Sequence, residues 1–339
     1  MAKSASDSAW GAGFRYFADF VGPYWLWLPM LMLFVAAVLF CAPATWRQPL
    51  RSQTTNVCVI ILCAVLHLVY VLRVGGDFMH GRMLLLPLFA VLLPVMVLPL
   101  KGLWESLVVA VIAAWAAVIA WRGNNDDWEI FEIGGAQVVD EREYWTYATQ
   151  RAPGDPPVDE ADYRNAKFLN GYDRAIEQLT NGAALSLMYL DDVQTDTYDW
   201  LSLPRAEGAE EPPTIYLVNL GMASAYAPLE VRVLDNIGLS TPIAARQPRV
   251  EDGRIGHDKN LARTWQAAES GVDLETLPEW VNQDEARRAR QALQSEDFQK
   301  LFASYKAPLT AERFVQNLKF ALTDGRNLEL SSDPGDYLK

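Results

Sequence analysis

The 339 residues carry 29 Lys/Arg against 42 Asp/Glu, a formal net charge of −13, and are 51% hydrophobic. An acid excess of this size offers no clustered basic surface and excludes nucleic acid as a partner, while the three cysteines, Cys41, Cys58 and Cys63, all fall in apolar runs, which excludes a disulfide or thiolate-metal framework elsewhere. The charge is unevenly placed: residues 1–121 hold seven basic and four acidic residues, net +3, and residues 122–339 hold 22 and 38, net −16.

Residues 1–22 set Trp10, Phe14, Phe17 and Phe20 among Lys3, Asp7, Arg15 and Asp19. The aromatic positions recur at helical spacing and predict a short helix lying in a membrane interface. Four apolar stretches follow, at about 24–42, 57–72, 83–100 and 103–121, each approaching the roughly 20 residues a helix needs to cross hydrocarbon. They are apolar all round, where a soluble helical core would show a polar face. The pattern predicts a polytopic region of four transmembrane helices over 23–121.

The connector between the first two stretches, PATWRQPLRSQ, contains Arg47 and Arg51 and no acid, and the third contains Lys101. The positive-inside tendency makes both cytoplasmic. By alternation the N-terminal segment, the junction VGGDFMHGR (74–82) and everything after Arg122 are extracytoplasmic. An extracytoplasmic start with no leader of its own is expected to follow an earlier membrane helix, so the chain reads as the C-terminal part of a longer polytopic protein.

The junction is the first candidate site. Gly75 and Gly76 admit backbone conformations closed to other residues and the close approach of a ligand. Asp77 has the chemistry of a base, a metal ligand or a hydroxyl acceptor, and Arg82 that of a phosphate holder. The plainer alternative is a tight turn whose Asp caps the next helix and whose Arg snorkels to headgroups. His67, inside an apolar run, suits a hydrogen bond to a neighbouring helix.

Residues 122–339 predict an extracytoplasmic α+β domain with a small sheet. A helix is expected from Asp140 and another over 161–180, with loops at RAPGDPPVDEADY (151–163) and PRAEGAEEPP (204–213). TIYLVNLG (214–221) and LEVRVLDNIGL (229–239) read as neighbouring strands. Two or three helices follow over 277–322, with Thr310 and Arg313 at an N-terminus, and the end, GRNLELSSDPGDYLK, reads as an irregular surface tail. Asp235 closes a strand beside the Gly238 turn, and GRIGHDKN supplies His257 and Asp258. The acid pair Asp191–Asp192 has the oxygen chemistry of a divalent-ion site, with a surface loop as the plain alternative; nothing in the pattern indicates a metal cofactor. GxSxG, P-loop, GxGxxG and HExxH motifs do not occur, so hydrolase, nucleotide-triphosphatase and zinc-protease readings have no support.

DFVGPYWLWLP, GGDFMHGRMLLLP and LDNIGLSTPIAARQPRVEDGRIGHDK together, the last two elements in order, resemble the C-terminal portion of the terminal β-(1→2) arabinofuranosyltransferases of mycobacteria and corynebacteria, membrane glycosyltransferases of the GT-C type. The resemblance covers nearly the entire chain. It implies transfer of arabinofuranose from decaprenyl-phosphoryl arabinose, a polyprenyl-phosphate donor, to terminal positions of the arabinan of arabinogalactan and lipoarabinomannan, at the plasma membrane. It also implies an upstream transmembrane portion carrying the acidic residue held to be catalytic. Under this reading Asp77 contacts the sugar or acceptor, His80 supports it, Arg82, Arg73 and Lys3 meet the donor phosphate, and His257, Asp258 and Asp235 contact the acceptor. The competing reading is a non-catalytic, membrane-anchored protein that binds glycan or a partner enzyme.

Overall fold

The structure is a computed structural model and describes residues 8–41, 53–93, 96, 102–122, 138–139, 141–192, 197–250, 253 and 255–338. Lys3 and the connector arginines Arg47 and Arg51 lie outside the described residues. The chain divides into a unit within residues 7–141 and a second within 142–339.

The first unit is helical. Helices α1 (Trp10–Val21), α2 (Trp27–Cys41), α3 (Gln53–Val74), α4 (Arg82–Leu92) and α5 (Leu103–Arg122) follow one another. Thr55–Val74 and Leu103–Arg122 are long and apolar enough to cross a membrane, with 22% and 0% of their apolar windows buried. That exposure is opposite to the burial of a soluble core helix. As described, α2 has 15 residues and α4 has 11, with Pro87 inside it, so two of the four expected spans reach full length among the described residues.

Helix α1 has two faces. Trp10, Phe14 and Phe17 are exposed, and Gly13, Tyr16 and Phe20 are buried. The buried face lies against the end of α3 so closely that a Cβ on Gly13 would stand 2.0 Å from the Leu72 carbonyl oxygen. Only glycine permits this backbone contact, which the Ala9 N–H extends by donating to the Arg73 carbonyl at 2.8 Å.

The second unit is built on a four-stranded sheet of order β2-β1-β3-β4. β1 (Ala183–Asp192) and β2 (Thr197–Pro204) form an antiparallel hairpin, while β3 (Thr214–Tyr216) and β4 (Arg232–Leu234) run parallel to β1. The β3/β4 pairing agrees with the sequence reading; the hairpin is new. On β1, Ala184, Leu185, Ser186 and Leu187 are all buried, so the strand is covered on both faces and shows no alternation.

One face of the sheet packs Trp200, Ile215 and Leu217 against Tyr172, Ala175 and Leu179 of α8 (Tyr172–Thr180) and Ala223 of α9 (Leu220–Tyr226). Preceding α8 are α6 (Glu141–Ala148), α7 (Glu160–Tyr163) and a 3-10 turn at Lys167–Leu169. The expected helix over 161–180 is therefore broken, at Asn170–Gly171, where Gly171 takes a φ of 70°.

The other face packs Leu185, Leu187, Leu203 and Tyr216 against a helical layer. It comprises α10 (Pro242–Arg246), α11 (Arg263–Glu269), α12 (Gln283–Ala292) and α13 (Glu296–Lys306), with α14 (Ala311–Leu322) following. Ala286, Ala289 and Ala292 form the buried face of α12, and their small size leaves room for Trp265, stacked on Phe298 at 5.2 Å. The end of the chain departs from the expected surface tail. Leu330 is fully buried, Tyr337 meets Phe298 edge to face at 5.1 Å, and Trp265 Nε1 donates to the Ser332 carbonyl at 2.8 Å. Two apolar anchors in a polar stretch leave no periodic signal.

Candidate functional site

The junction 74–82 folds as a turn molded on α1. Gly76 has a φ of 79° and a Cβ there would stand 2.4 Å from the Tyr16 ring; Gly81 has a φ of 65° and faces the Phe20 ring in the same way, at 2.8 Å. The group these glycines admit is thus an aromatic ring of the protein's own helix. Tyr16 fixes the turn at both ends: its hydroxyl donates to the Met79 carbonyl at 3.0 Å and accepts from the Met83 N–H at 3.1 Å. Burial pushes its phenol up to about 12, so it stays a donor throughout the physiological range.

Asp77 is 3% exposed. Its Oδ1 accepts from the Phe78 N–H at 2.8 Å and its Oδ2 from Arg82 Nε at 2.5 Å. The carboxylate thus holds the Arg82 guanidinium. The Arg82 side chain is 46% exposed and lies 5.1 Å over the Phe78 ring. With Nε engaged, the two Nη groups have no hydrogen-bond partner among the described residues. That free edge is the fork that matches two phosphate oxygens.

His80 sits in a chain of polar groups. Its Nδ1 is 2.8 Å from Asp19 Oδ2 and its Nε2 is 3.1 Å from the Tyr24 hydroxyl. A carboxylate at Nδ1 selects the tautomer with the proton there, leaving Nε2 to accept from Tyr24. Trp115 of α5 donates to the Tyr24 carbonyl at 2.8 Å, so this chain ties α1, the turn and α5 together. Arg73, exposed at the end of α3, stands just before the glycine pair. Tyr16, Asp19 and Tyr24 are not among the site residues expected from sequence; Tyr16, Phe20 and Tyr24 recur every four residues, which marks a shared face, while Asp19 carries no such signal.

In the second unit, the segments that carry the sequence's other candidates come together. The Leu261 N–H donates to the Asn236 carbonyl at 2.7 Å, Asn236 Nδ2 to Asn260 Oδ1 at 2.9 Å, and Lys259 Nζ to the Ala245 carbonyl. Asp235 is fully buried. It accepts from the N–H groups of Leu239, Ser240 and Thr241 and from the Ser240 and Thr241 hydroxyls, at 2.6–3.3 Å. Both oxygens accept from the turn's own N–H and hydroxyl groups, so the carboxylate holds the turn together.

Asp258 is 3% exposed and faces Arg249 Nε at 2.6 Å, paired by charge without hydrogen-bond geometry. Burial raises its carboxyl above the usual range against the pull of Arg249, and burial lowers Lys259 below its own. His257, half-buried, is the one of the three acceptor candidates that retains appreciable surface. Asp191 is exposed at the end of β1, and the described residues contain no group of three or more side chains suited to a metal ion.

Two helices with the length and exposure of membrane spans, a turn that presents an arginine fork, and a separate α+β domain define a membrane-type helical unit joined to a folded domain. Residues 165–339 match the family described as the AftB family C-terminal domain, and the chain belongs to that family. It is 43% identical to a terminal β-(1→2)-arabinofuranosyltransferase of Corynebacterium glutamicum, over 100% of this chain and 52% of that protein. A protein of the same description from Mycobacterium tuberculosis is 31% identical over 94% of this chain and 56% of its own length. The chain thus spans about half the length of these curated relatives. No solved structure matches.

Proposed function

We propose that the chain is the C-terminal part of a GT-C type glycosyltransferase. It moves arabinofuranose from decaprenyl-phosphoryl arabinose to terminal positions of the arabinan of arabinogalactan and lipoarabinomannan. Under this reading residues 1–22 lie in the interface, residues 23–121 cross the plasma membrane four times, and residues 122–339 form the extracytoplasmic domain. The description shared by both relatives supports the activity, and the Asp77–Arg82 pair is the observation that carries the assignment to this chain.

A lipid-phosphate donor keeps its tail among the apolar helices and needs cations where its phosphate meets water. Arg82, aimed by Asp77, takes the phosphate through its Nη edge, with Arg73 and, on sequence grounds, Lys3 adding positive charge. When the bond from the anomeric carbon to phosphate breaks, negative charge collects on the departing phosphate, and fixed cations stabilise it. Asp77 is a positioning residue, and the Asp19–His80–Tyr24 chain holds the turn on which Arg82 stands. Acceptor contacts fall to His257 and its surroundings.

In membranes carrying the protein, Arg82→Gln is expected to lower arabinose transfer from a polyprenyl-phosphate donor by about a hundredfold, the scale of one charge-assisted contact to a departing anion. The variant accumulating at the normal level with undiminished turnover would overturn the donor assignment.

A further inference from the structure

The second unit contains a cleft of about 440 Å³ between the 206–211 loop, the end of α11, and helices α12 and α13. Glu211, Glu269, Arg290, Phe302 and Lys306 line it. None of them belongs to the donor site or to the Asp235 and Asp258 turns.

Glu269 is the group that calls for explanation. Its side chain is 3% exposed, and a buried carboxylate is costly unless closely paired. Oε2 accepts from the buried Tyr216 hydroxyl at 3.0 Å. The nearest cations to Oε1 stand off, Arg232 Nη1 at 3.5 Å and Lys306 Nζ at 3.8 Å, beyond the 2.7–3.2 Å of a good N–H···O bond. Arg232 is committed elsewhere, with Nε on Thr214 Oγ1 at 3.1 Å and Nη2 on the Glu269 carbonyl at 3.2 Å. Arg290 is likewise committed, donating to the carbonyls of Ala267, Ser270 and Val272 at 2.8–3.1 Å. Lys306 remains: its ammonium lies 4.0 Å over the Phe302 ring, is half-exposed, and is held below its usual range chiefly by burial.

The charges select the ligand. Glu211 and Glu269 repel an anion, and Lys306 beside them repels a simple cation. A group that donates to the carboxylate and accepts from the ammonium fits the gap, and a hydroxyl does both. Phe302, with the ammonium over its ring, adds apolar surface to the cleft wall, which suits the C–H groups of a sugar. We propose that this cleft binds a neutral sugar residue of the acceptor glycan, one ring hydroxyl bridging Glu269 Oε1 and Lys306 Nζ. Its identity as arabinofuranose rests on the transfer reading given above; the cleft chemistry does not.

The test uses the full chain in nanodiscs and a linear arabinofuranosyl tetrasaccharide, with affinity measured by calorimetry. Lys306→Ala and Glu269→Gln are each expected to weaken binding by about tenfold or more, the effect of losing one hydrogen bond to a charged group. Lys306, on the rim, is expected to leave the thermal unfolding midpoint unchanged, which keeps the result readable if Glu269→Gln misfolds. Unchanged affinity in Lys306→Ala would overturn the proposal, as would a wild-type chain that does not bind the tetrasaccharide. Tighter binding of a neutral tetrasaccharide of another sugar would leave the cleft standing and count against the transfer reading; turnover without arabinan binding would overturn the cleft alone.

Discussion

Asp77 and Arg82 are five residues apart in sequence, yet what each contributes depends on the other. With both carboxylate oxygens engaged and 3% exposure, Asp77 acts, under the proposed function, through the guanidinium. Asp77→Asn is therefore expected to raise the KM for the polyprenyl-phosphate donor by about tenfold, since one charge-assisted bond that aims Arg82 is lost, with a smaller effect on kcat. A merely structural role would lower the amount of folded protein and leave KM unchanged, and that result would reject the positioning role. Tyr16→Phe removes the bonds to Met79 and Met83 and is expected to cost about 1 kcal/mol, because the partly buried Met83 N–H loses its partner; an unaltered unfolding midpoint would show that the turn stands without it. The ionisable residues of this site were legible because charge at the junction of two apolar runs is conspicuous. Their partners were not: Tyr16, Asp19 and Tyr24 lie 56–67 residues away from the groups they bind, and helical spacing alone does not say which helix end meets which turn.

Elements with a one-sided environment were readable, and a two-sided one hid β1 although not β3, which is buried at all three positions. α1 shows its two faces in its aromatic spacing, and α14 shows its start: Thr310 accepts from the Arg313 N–H at 3.1 Å, as its position suggested. β1, buried on both faces, carries no alternation, so the longest strand of the sheet escaped notice while the short β3 and β4, bracketed by Gly and Pro, did not. The close approach of α1 to α3 was equally silent in sequence, because Gly11 and Gly13 look alike there. Structure separates them. A Cβ on Gly13 meets the Leu72 carbonyl at 2.0 Å, whereas on Gly11 it meets the flexible end of Arg15 at 3.7 Å. Gly11→Ala is expected to stabilise the helix, by up to about 1 kcal/mol from propensity. Gly13→Ala is expected to separate α1 from α3, displacing Tyr16 from the turn and lowering both the unfolding midpoint and donor transfer. Equal behaviour of the two variants would reject the close contact as the organising feature of this unit.

At the scale of the molecule, the two units rest on different physics. The helical unit exposes its apolar surface: α5 buries no residue, and Leu62, Leu66, Leu85, Leu86, Leu103 and Trp104 are all more than half exposed, which suits lipid and is untenable in water. The second unit builds its core on both faces of a sheet, in clusters drawn wholly from residues 145–337. The sequence charge changes from +3 over residues 1–121 to −16 over 122–339, while the C-terminal anchors Leu330 and Tyr337 do not stand out from their polar neighbours. A self-contained core predicts independent folding. Residues 142–339 expressed alone are expected to unfold in a single cooperative transition, and Trp265→Ala, which removes a fully buried ring at the centre of the larger cluster, is expected to cost about 3–5 kcal/mol. α14 supplies the control. Phe314, Val315, Leu318 and Leu322 form an exposed stripe on it, so association of the isolated domain through this face is expected to fall in Val315→Ser/Leu318→Ser without any change in the transition. A domain that still aggregates with that stripe made polar, or that shows no cooperative transition, would mean that its core is completed by the rest of the chain.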